Sequence, residues 1–374
     1  MNALQQEPYK PEYDAWLASA CIPSGLVNQL YTRYGDAYGC YQAFRKNDSF
    51  INGLITSRLI SLLEKNSSEE ILRDFRQKID RFEIRILRID DPEYPLSLKQ
   101  TEDPPAILFY RGDPGCMNRR ILAVVGSRAA SYAGQKATKK LTQDLSCLGI
   151  TIVSGLACGI DACAHEGCIE GGSPTIAVTG CGLDRVYPPD NHRLHDRILE
   201  EGGLILSEYA PGEPPSGWHF PVRNRIIAGL ASAMVLMEAK IRSGSMTSVQ
   251  HALNQGKEIF VYPGDPESEQ YSGNHQLLRE GGIYFTCAED IAEDMHWLDN
   301  PLPVRQNSDC SAEVTASTPE ETAVIQALKP GMLSFEQLSE KTGYNPSRLM
   351  STLTILQIKG TVESMPGKTY RIRH

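Results

Sequence analysis

The sequence predicts an α/β fold in which a Rossmann-like parallel sheet follows an N-terminal helical domain and precedes a C-terminal winged-helix domain. Three observations predict this arrangement. Helical periodicity runs through residues 12–80, short apolar runs recur from about residue 82, and the end of the chain returns to helices followed by a hairpin. The 374 residues are enough for two or three domains of roughly 100 to 200 residues each.

The N-terminal domain, predicted over residues 1–81, is helical because its apolar residues recur at helical spacing between Gly and Ser breaks. Within it, residues 23–26 form either a hairpin that contacts a nucleic-acid backbone or an ordinary turn between helices. The apolar positions that define the helices include Leu26, Leu30, Leu59, Leu62 and Leu63.

The central domain, predicted over residues 82–295, contains short apolar runs that lack polar alternation, which is typical of strands buried on both faces of a parallel sheet. Their spacing of roughly 25 to 30 residues suits one strand and one helix per unit. The runs are residues 121–125 before Gly126, 151–153 before Ser154, 175–178 before Thr179, 204–206 before Ser207, 234–237 before Glu238 and 259–262 before Pro263.

The clearest intervening helix is predicted over residues 133–148, where one stripe of Ala and Leu residues faces the sheet and Gly149 ends the helix. Its lysines at positions 136, 139 and 140 fall on the other side. We interpret these lysines as part of a solvent-exposed helix face rather than of a ligand-binding face.

Residues 296–318 are predicted to be a linker, because they are rich in acidic residues, Pro, Ser and Thr and show no periodicity. A winged-helix domain is predicted over residues 319–374. Its helices are expected at residues 320–328, 334–341 and 346–357, and its wing at residues 361–364 and 369–372 around the hairpin 365–368. Ser334 is expected to cap the second helix, with Gln337 completing a capping box.

Composition limits the kind of site that the chain can carry. The net charge of −9 argues against a surface coated in positive charge, so any nucleic-acid site must be local. The sequence shows neither a secretory signal nor a membrane span, which predicts a cytoplasmic protein without membrane contacts. The ten cysteines include no CxxC pair, and five-residue spacings turn about 140° around a helix. We therefore expect reduced thiols, no bound metal and no cofactor.

Small and polar residues follow several predicted strands, at the edge of the sheet where ligands of parallel sheets bind. Gly126-Ser127-Arg128 offers backbone amides, a hydroxyl and a guanidinium, which together suit a phosphate. The glycine-rich stretch 154–161 serves either close approach of a ligand or tight packing of a helix on a strand. Residues 243–248 carry more hydroxyls than an N-cap needs, which favours an anion site there.

Aromatic and basic residues are interleaved in residues 218–229, between the fourth and fifth of these strands. Rings that stack on bases, beside cations that hold the backbone, are typical of single-strand binding. We expect one of Arg223 and Arg225 to meet the ligand and the other to be structural, paired with Glu208 or Glu238.

Several catalytic patterns are missing from the sequence. Gly180-Cys181-Gly182 lacks the third glycine of a dinucleotide fingerprint, Val362 stands where a P-loop ending at residues 367–369 needs glycine, and no GxSxG motif occurs. The chain is therefore predicted not to be an enzyme.

These motifs, taken in order, resemble the DNA-processing protein A (DprA/Smf) family. The resemblance rests on residues 126–128, 154–161, 187–188, 220–229, 238–239 with 243–245, 263–264 and 273–274. It implies a protein that binds and protects single-stranded DNA and loads the RecA recombinase during natural transformation, usually as a homodimer. It also implies that the N-terminal helices form a SAM-like domain. The resulting candidate DNA-binding residues are Gly126, Ser127, Arg128, Ser154, Gly155, Phe220, Arg223, Asn224, Arg225, Ser243, Gly244, Ser245 and Asn274.

The alternative prediction is a nucleotide-cleaving phosphoribohydrolase, which has a related Rossmann-like core. Such enzymes carry Pro-Gly-Gly-x-Gly-Thr, but Pro263-Gly264 continues here as Asp265-Pro266. A pure interaction scaffold, the third candidate, would leave Arg128 and Arg223 unexplained. Within the resemblance, Met246-Thr247-Ser248 and Tyr271-Ser272 depart from the usual family pattern, so the shape of that pocket wall is left open.

Overall fold

A computed structural model of the chain describes residues 10–298, 318–328, 332–358, 361–365 and 369–372. The structure divides into two compact units, Met1–Arg305 and Gln306–His374. Most of the predicted linker, residues 296–318, lies outside the described residues. Within the described ranges, no helix is both long and apolar enough to cross a membrane.

Residues 10–81 form a bundle of short helices around a small aromatic and aliphatic core. Trp16 is fully buried in that core, and its indole Nε1 donates a hydrogen bond to the Leu63 carbonyl at 2.9 Å. Residues 23–26 begin the second helix, and the Ser24 hydroxyl donates to Asp103 of the next domain at 3.0 Å. The helices are α1 Pro11–Ala18, α2 Ser24–Tyr34, α3 Ala37–Arg45, α4 Ser49–Leu54, α5 Ser57–Lys65 and α6 Glu69–Arg81.

The remainder of the first unit is a sheet of nine strands covered by helices on both faces. Its strands are β1 Arg85–Arg88, β2 Ile107–Gly112, β3 Ile121–Val125, β4 Thr151–Ser154, β5 Thr175–Thr179, β6 Leu204–Ser207, β7 Ala233–Leu236, β8 Glu258–Val261 and β9 Ile283–Tyr284. Its helices are α7 Leu96–Lys99, α8 Tyr132–Cys147, α9 Ile160–Glu170, α10 His192–Glu200, α11 His219–Leu230, α12 Gly244–Asn254, α13 Ser272–Arg279 and α14 Ala288–Asp294.

The strands lie in the order β1-β2-β6-β5-β4-β3-β7-β8-β9, and β3 to β9 pair in parallel with one another. Leu122 at the centre pairs with Ile152 on one side and Ala233 on the other, and all three are fully buried. The six predicted runs are β3 to β8, within one or two residues, so the predicted α/β class is confirmed. The antiparallel edge made by β1 and β2 was not predicted.

Helix α8 shows how the sheet is covered. Leu141 and Leu145 are buried against it, as the stripe predicts. On the other face, Lys139 pairs with Glu166 and Glu170, and Lys140 pairs with Asp144 one turn later. These half-buried and exposed pairs agree with a solvated face.

The second unit contains the predicted winged-helix elements, and the winged-helix fold is confirmed. Ser334 caps its second helix and forms a capping box with Gln337, as expected. A short strand that was not predicted, β10, pairs with β12. Of the predicted hairpin, residues 366–368 lie outside the described residues. The elements are α15 Pro319–Leu328, β10 Leu333–Ser334, α16 Phe335–Thr342, α17 Pro346–Ile358, β11 Val362–Met365 and β12 Thr369–Ile372.

Candidate nucleic-acid interface

An open crevice of about 610 Å³ lies at the carboxyl ends of β3 and β7. The chain builds β3, β4, β5 and β6 in one direction across the sheet and then returns to place β7 on the other side of β3. The loops after β3 and β7 therefore diverge to opposite faces, which is the arrangement that opens ligand crevices in parallel sheets. Nine of the candidate residues line it: Gly126, Ser127, Arg128, Phe220, Arg223, Asn224, Ser243, Gly244 and Ser245.

The loop after β3 is held in shape by Glu238, which follows β7. The Ser127 amide donates to the Glu238 carbonyl at 2.7 Å, and the buried Glu238 carboxylate accepts hydrogen bonds from the Ser131 amide and hydroxyl. A side chain at Gly126 would meet Ile160 at 2.5 Å, so glycine is needed there for packing against α9. Arg128 stays exposed on this fixed loop and has no carboxylate within ion-pair distance among the described residues.

Phe220, in the first turn of α11, is surrounded by cations and a second ring. The guanidinium of Arg128 lies 5.0 Å from its ring centre, that of Arg223 lies 5.9 Å away, and the Tyr187 ring lies at 5.5 Å. Cations at this range are attracted to the face of an aromatic ring. The arrangement combines a stacking surface with positive charge, the two features that single-strand binding uses.

Arg223 is almost completely buried at the floor of the crevice, with 3% of its surface exposed. Its Nη1 donates to the carbonyls of Gly155 and Val178, and its Nε donates to the Asn224 side chain at 3.2 Å. Burial, with the nearby charge of Arg128, lowers its pKa to about 10, while Asp161 opposes the shift. The guanidinium therefore remains charged at neutral pH.

Asp161 is the acidic residue of the crevice. Its carboxylate accepts hydrogen bonds from the Gly155 amide at 3.2 Å and the Ala157 amide at 3.4 Å. Burial raises its pKa, and the positive charge of Arg223 opposes that shift. The charged residues lining the crevice are Arg128, Arg223 and Asp161, which leaves an excess of one positive charge.

The opposite wall is the N-terminus of α12, which begins at Gly244. Ser243 occupies the N-cap position but makes no capping hydrogen bond with its side chain. Its hydroxyl is shielded from solvent and has no hydrogen-bond partner among the described residues. Unpaired amides in the first turn of a helix and a nearby hydroxyl suit an anion.

Four candidate residues do not line the crevice, and two of them, Arg225 and Asn274, belong to the framework around it. Arg225 forms ion pairs with Glu208 and, at 3.2 Å, with Asp103. Glu208 is one of the two partners that the sequence predicts for the structural arginine. Asn274 is fully buried. Its Oδ1 accepts from the Ala239 amide, and its Nδ2 donates to the carbonyls of Met237 and Tyr262. These contacts place both side chains in the framework around the crevice.

Ser154 and Gly155 lie just below the crevice. The Ser154 hydroxyl donates to the Val124 carbonyl at 2.7 Å and joins β4 to β3. A side chain at Gly155 would meet Arg223 at 2.5 Å and Asp161 at 2.7 Å. Of the two interpretations left open for the stretch 154–161, this close packing agrees with the structural one.

The crevice also includes residues that are not among the candidates. Asp161 and Tyr187 belong to the quoted motifs but were not assigned to the site. The loop 215–217 also lines it, and its Pro-Ser-Gly composition is only the ordinary signal of a turn. Ser248, buried one turn into α12, completes the wall. Its position at the end of the hydroxyl-rich stretch 243–248 could have predicted that it belongs to the site.

Comparison with known proteins agrees with this fold. The family described as DNA recombination-mediator protein A matches residues 85–296, and a DprA winged helix domain matches residues 311–368. Protein Smf of Escherichia coli is 34% identical over 77% of this chain and 77% of its own length. DNA processing protein DprA of Streptococcus pneumoniae is 42% identical over 59% of this chain and 76% of its own length.

Two solved structures are similar as well. The X-ray structure of DNA processing protein A from Streptococcus pneumoniae superposes with a TM-score of 0.65 at 34% identity, covering 76% of this chain and 97% of that one. A structure of DNA processing protein A from Helicobacter pylori, described in terms of its single-stranded DNA binding mode, gives a TM-score of 0.52 at 28% identity, covering 57% and 96%. The chain therefore belongs to the DNA recombination-mediator protein A (DprA/Smf) family.

Proposed function

We propose that the crevice between β3 and β7 binds single-stranded DNA. The observation that carries the proposal is the position of Phe220, with Arg128 and Arg223 within 6 Å of its ring. A base stacked on Phe220 would leave its phosphates close to Arg128, Ser127 and the first turn of α12. These groups recognise features shared by every nucleotide, so binding is expected to depend little on sequence.

The proposal extends to the role expected from the family resemblance. A protein that covers single-stranded DNA protects it and can pass it to the RecA recombinase during natural transformation, with two copies of the chain acting as a homodimer. Support comes from the relatives named for DNA processing and from the Helicobacter pylori structure described by its single-strand binding. We further propose the division into a helical domain at 1–81, a DNA-binding domain at 82–295, a linker at 296–318 and a winged helix at 319–374.

A titration tests the binding proposal directly. The purified full-length chain is titrated into fluorescently labelled oligonucleotides, single-stranded and duplex, at two salt concentrations. We expect tighter binding of the single strand and a salt slope of about 0.7 for each phosphate contact. Equal binding of both forms, or none, would contradict the proposal.

The same preparation tests the enzymatic alternative. A nucleotide-cleaving phosphoribohydrolase would release free base from nucleoside monophosphates, and a nuclease would shorten the oligonucleotide. We expect neither product, because the crevice lacks an activated nucleophile and a complete phosphate-transfer loop. Turnover that copurifies with the protein and is lost in Asp161→Asn would favour the enzyme.

A further inference from the structure

A second cavity, of about 170 Å³, lies between the N-terminal helices and the sheet domain. An apolar cavity of about 150 Å³ is large enough to hold a benzene molecule. This one therefore has room for a single flat ring. Its apolar wall comes from α1, α2 and the loop between them and includes Leu17, Val27 and Ile22, while Ala106 and Ile107 contribute from the end of the preceding loop and the start of β2.

The outer wall of the cavity is Trp218, an aromatic residue that is 56% exposed. The indole packs edge-on against Tyr209, with ring centres 6.3 Å apart, and lies 4.2 Å from the centre of the His219 ring. The Tyr209 hydroxyl in turn donates to the His219 carbonyl at 3.3 Å. An exposed ring held in place by its neighbours is a ready stacking surface.

The cavity and the crevice are adjacent along the chain. Residues 215–217 line the crevice, Trp218 lines the cavity, and Phe220 returns to the crevice. On α11, Arg223 and Asn224 then face the crevice while Val222 and Arg225 face the cavity. The backbone of residues 215–220 therefore runs past both sites, with Trp218 on the side of the cavity and Phe220 on the side of the crevice.

The charges of the cavity disfavour a phosphate and favour a base. Its charged residues are Glu208, Asp103 and Arg225, an excess of one negative charge, whereas the crevice has an excess of one positive charge. Both carboxylates pair with Arg225, whose Nη1 has no hydrogen-bond partner among the described residues. Carboxylate oxygens accept hydrogen bonds from the exocyclic amino groups of bases, which thymine lacks.

We propose that this cavity is a second base-binding site, in which one nucleobase of the strand held in the crevice stacks on Trp218 and turns an amino group towards Glu208 and Asp103. The inference rests on the proposed function, because the phosphates of that strand stay with Arg128, Ser127 and the first turn of α12. It assigns the N-terminal helices a direct part in holding DNA, and it predicts a preference for cytosine over thymine.

The test compares Trp218→Ala, Trp218→Phe and the cavity-filling Ala18→Leu in the full-length chain. Affinities are measured for a length series of single-stranded oligo(dC) and oligo(dT), spanning roughly 4 to 16 nucleotides. We expect Trp218→Ala to weaken binding of the longer oligo(dC) by about 5- to 140-fold, which converts to roughly 1 to 3 kcal/mol for one lost stack. Ala18→Leu should cause the same loss, Trp218→Phe should restore most of the affinity, and the preference for oligo(dC) should disappear in Trp218→Ala.

The control is Tyr284→Ala, which removes a ring of matching exposure, 57%, from the far edge strand β9. It should leave every affinity unchanged. If Arg128→Ala weakens binding while Trp218→Ala and Ala18→Leu do not, the second site is overturned and the crevice stands. If oligo(dC) and oligo(dT) bind the wild type equally, the amino-group contact is overturned. If no single strand binds at all, the proposed function itself fails.

Discussion

Arg223 and Asp161 hold the two polar groups of one residue, Gly155. Arg223 donates to the Gly155 carbonyl at 2.8 Å, and Asp161 accepts from the Gly155 amide at 3.2 Å. Since a side chain at position 155 would overlap both, the opposite charges can approach each other only across glycine. The floor of the crevice is thus a buried electrostatic interaction between α11 and the first turn of α9, bridged by Gly155 in the loop after β4.

This contact predicts different consequences for the two arginines of the crevice. Arg128→Ala should weaken single-strand binding and lower the salt slope by about 0.7, with an unchanged melting temperature, because Arg128 is exposed. Arg223→Ala should weaken binding and also lower the free energy of unfolding by about 3 kcal/mol, since it leaves buried carbonyls without a donor.

Arg223→Lys serves as the control for these measurements, because it keeps the charge without the planar fork of donors. We expect it to recover part of the binding and little of the stability. Urea unfolding and the two-salt titration separate the two effects. Unchanged affinity and unchanged salt slope in both alanine variants would remove the crevice as the DNA site.

Gly155→Ala should disturb the interaction of Arg223 with Asp161, because Gly155 lies between the two side chains. The added methyl group would lie 2.5 Å from the Arg223 guanidinium and 2.7 Å from the Asp161 carboxylate, so one of them must move. We expect a loss of stability of about 1 to 3 kcal/mol from the overpacking, with weaker single-strand binding. Gly53→Ala is the control, since nothing lies within 4 Å of its added carbon. Wild-type stability in Gly155→Ala would show that the floor is not tightly packed.

A buried histidine predicts how stability changes with pH. His165 is fully buried beside Thr175, 2.7 Å from its hydroxyl, and burial, assisted by the charge of Arg223, lowers its pKa to about 3. Below about pH 6.5 the unfolded chain binds a proton that the native chain does not. The contribution of neutral His165 to the free energy of unfolding is therefore complete above pH 6.5. It is lost as the pH falls towards 3, by up to about 1.4 kcal/mol per pH unit.

His165→Gln isolates this group, because other histidines remain in the variant. The free energy of unfolding is measured in urea at pH 7, 6 and 5 for both proteins. The wild type should lose more stability across this range than the variant, whatever their stabilities at pH 7. Parallel pH profiles would show that His165 titrates normally in the folded chain.

Asn274 should behave as a structural residue. Its amide joins the end of β7, the end of β8 and the residue after Glu238 through buried hydrogen bonds. Asn274→Ala would leave several of these backbone groups without a partner, so we expect a loss of about 2 to 4 kcal/mol in the free energy of unfolding. The salt slope of single-strand binding should stay at the wild-type value, and a lower slope would instead place Asn274 at a phosphate.

The centre of the sheet was predictable because β3 to β8 are buried on both faces, and such burial requires unbroken apolar runs. The edge was not. In β1, Arg85 and Arg88 flank only two apolar residues, and the strand forms because β2 offers an edge to pair with. Such short pairings depend on tertiary position, which local composition does not encode.

The candidate site shows the same division. Gly126-Ser127-Arg128 could be predicted because a strand end, small residues and a cation occur together in the sequence. Two positions along a helix rotate a side chain by about 200°, so Arg223 and Arg225 had to face different surroundings. Which of them faces the crevice depends on how α11 packs on the sheet. The sequence could not reveal the structural role of Asn274, because the backbone partners of its side chain come from distant parts of the chain.

The winged helix gives the last prediction. By fold alone its third helix, α17, would be the DNA reader in a major groove. From residue 319 to 374 the sequence has seven Lys or Arg and five Glu, a balance of only +2. The one arginine of α17, Arg348, pairs with Glu320 of α15, so it is not presented freely to a groove. Groove reading depends on bidentate side chains and several phosphate contacts, which α17 does not supply.

We therefore expect truncation at Asp309 to leave most of the single-strand affinity with the larger fragment. Tight single-strand binding by the isolated residues 319–374, with loss from the truncated remainder, would place the site in the winged helix instead.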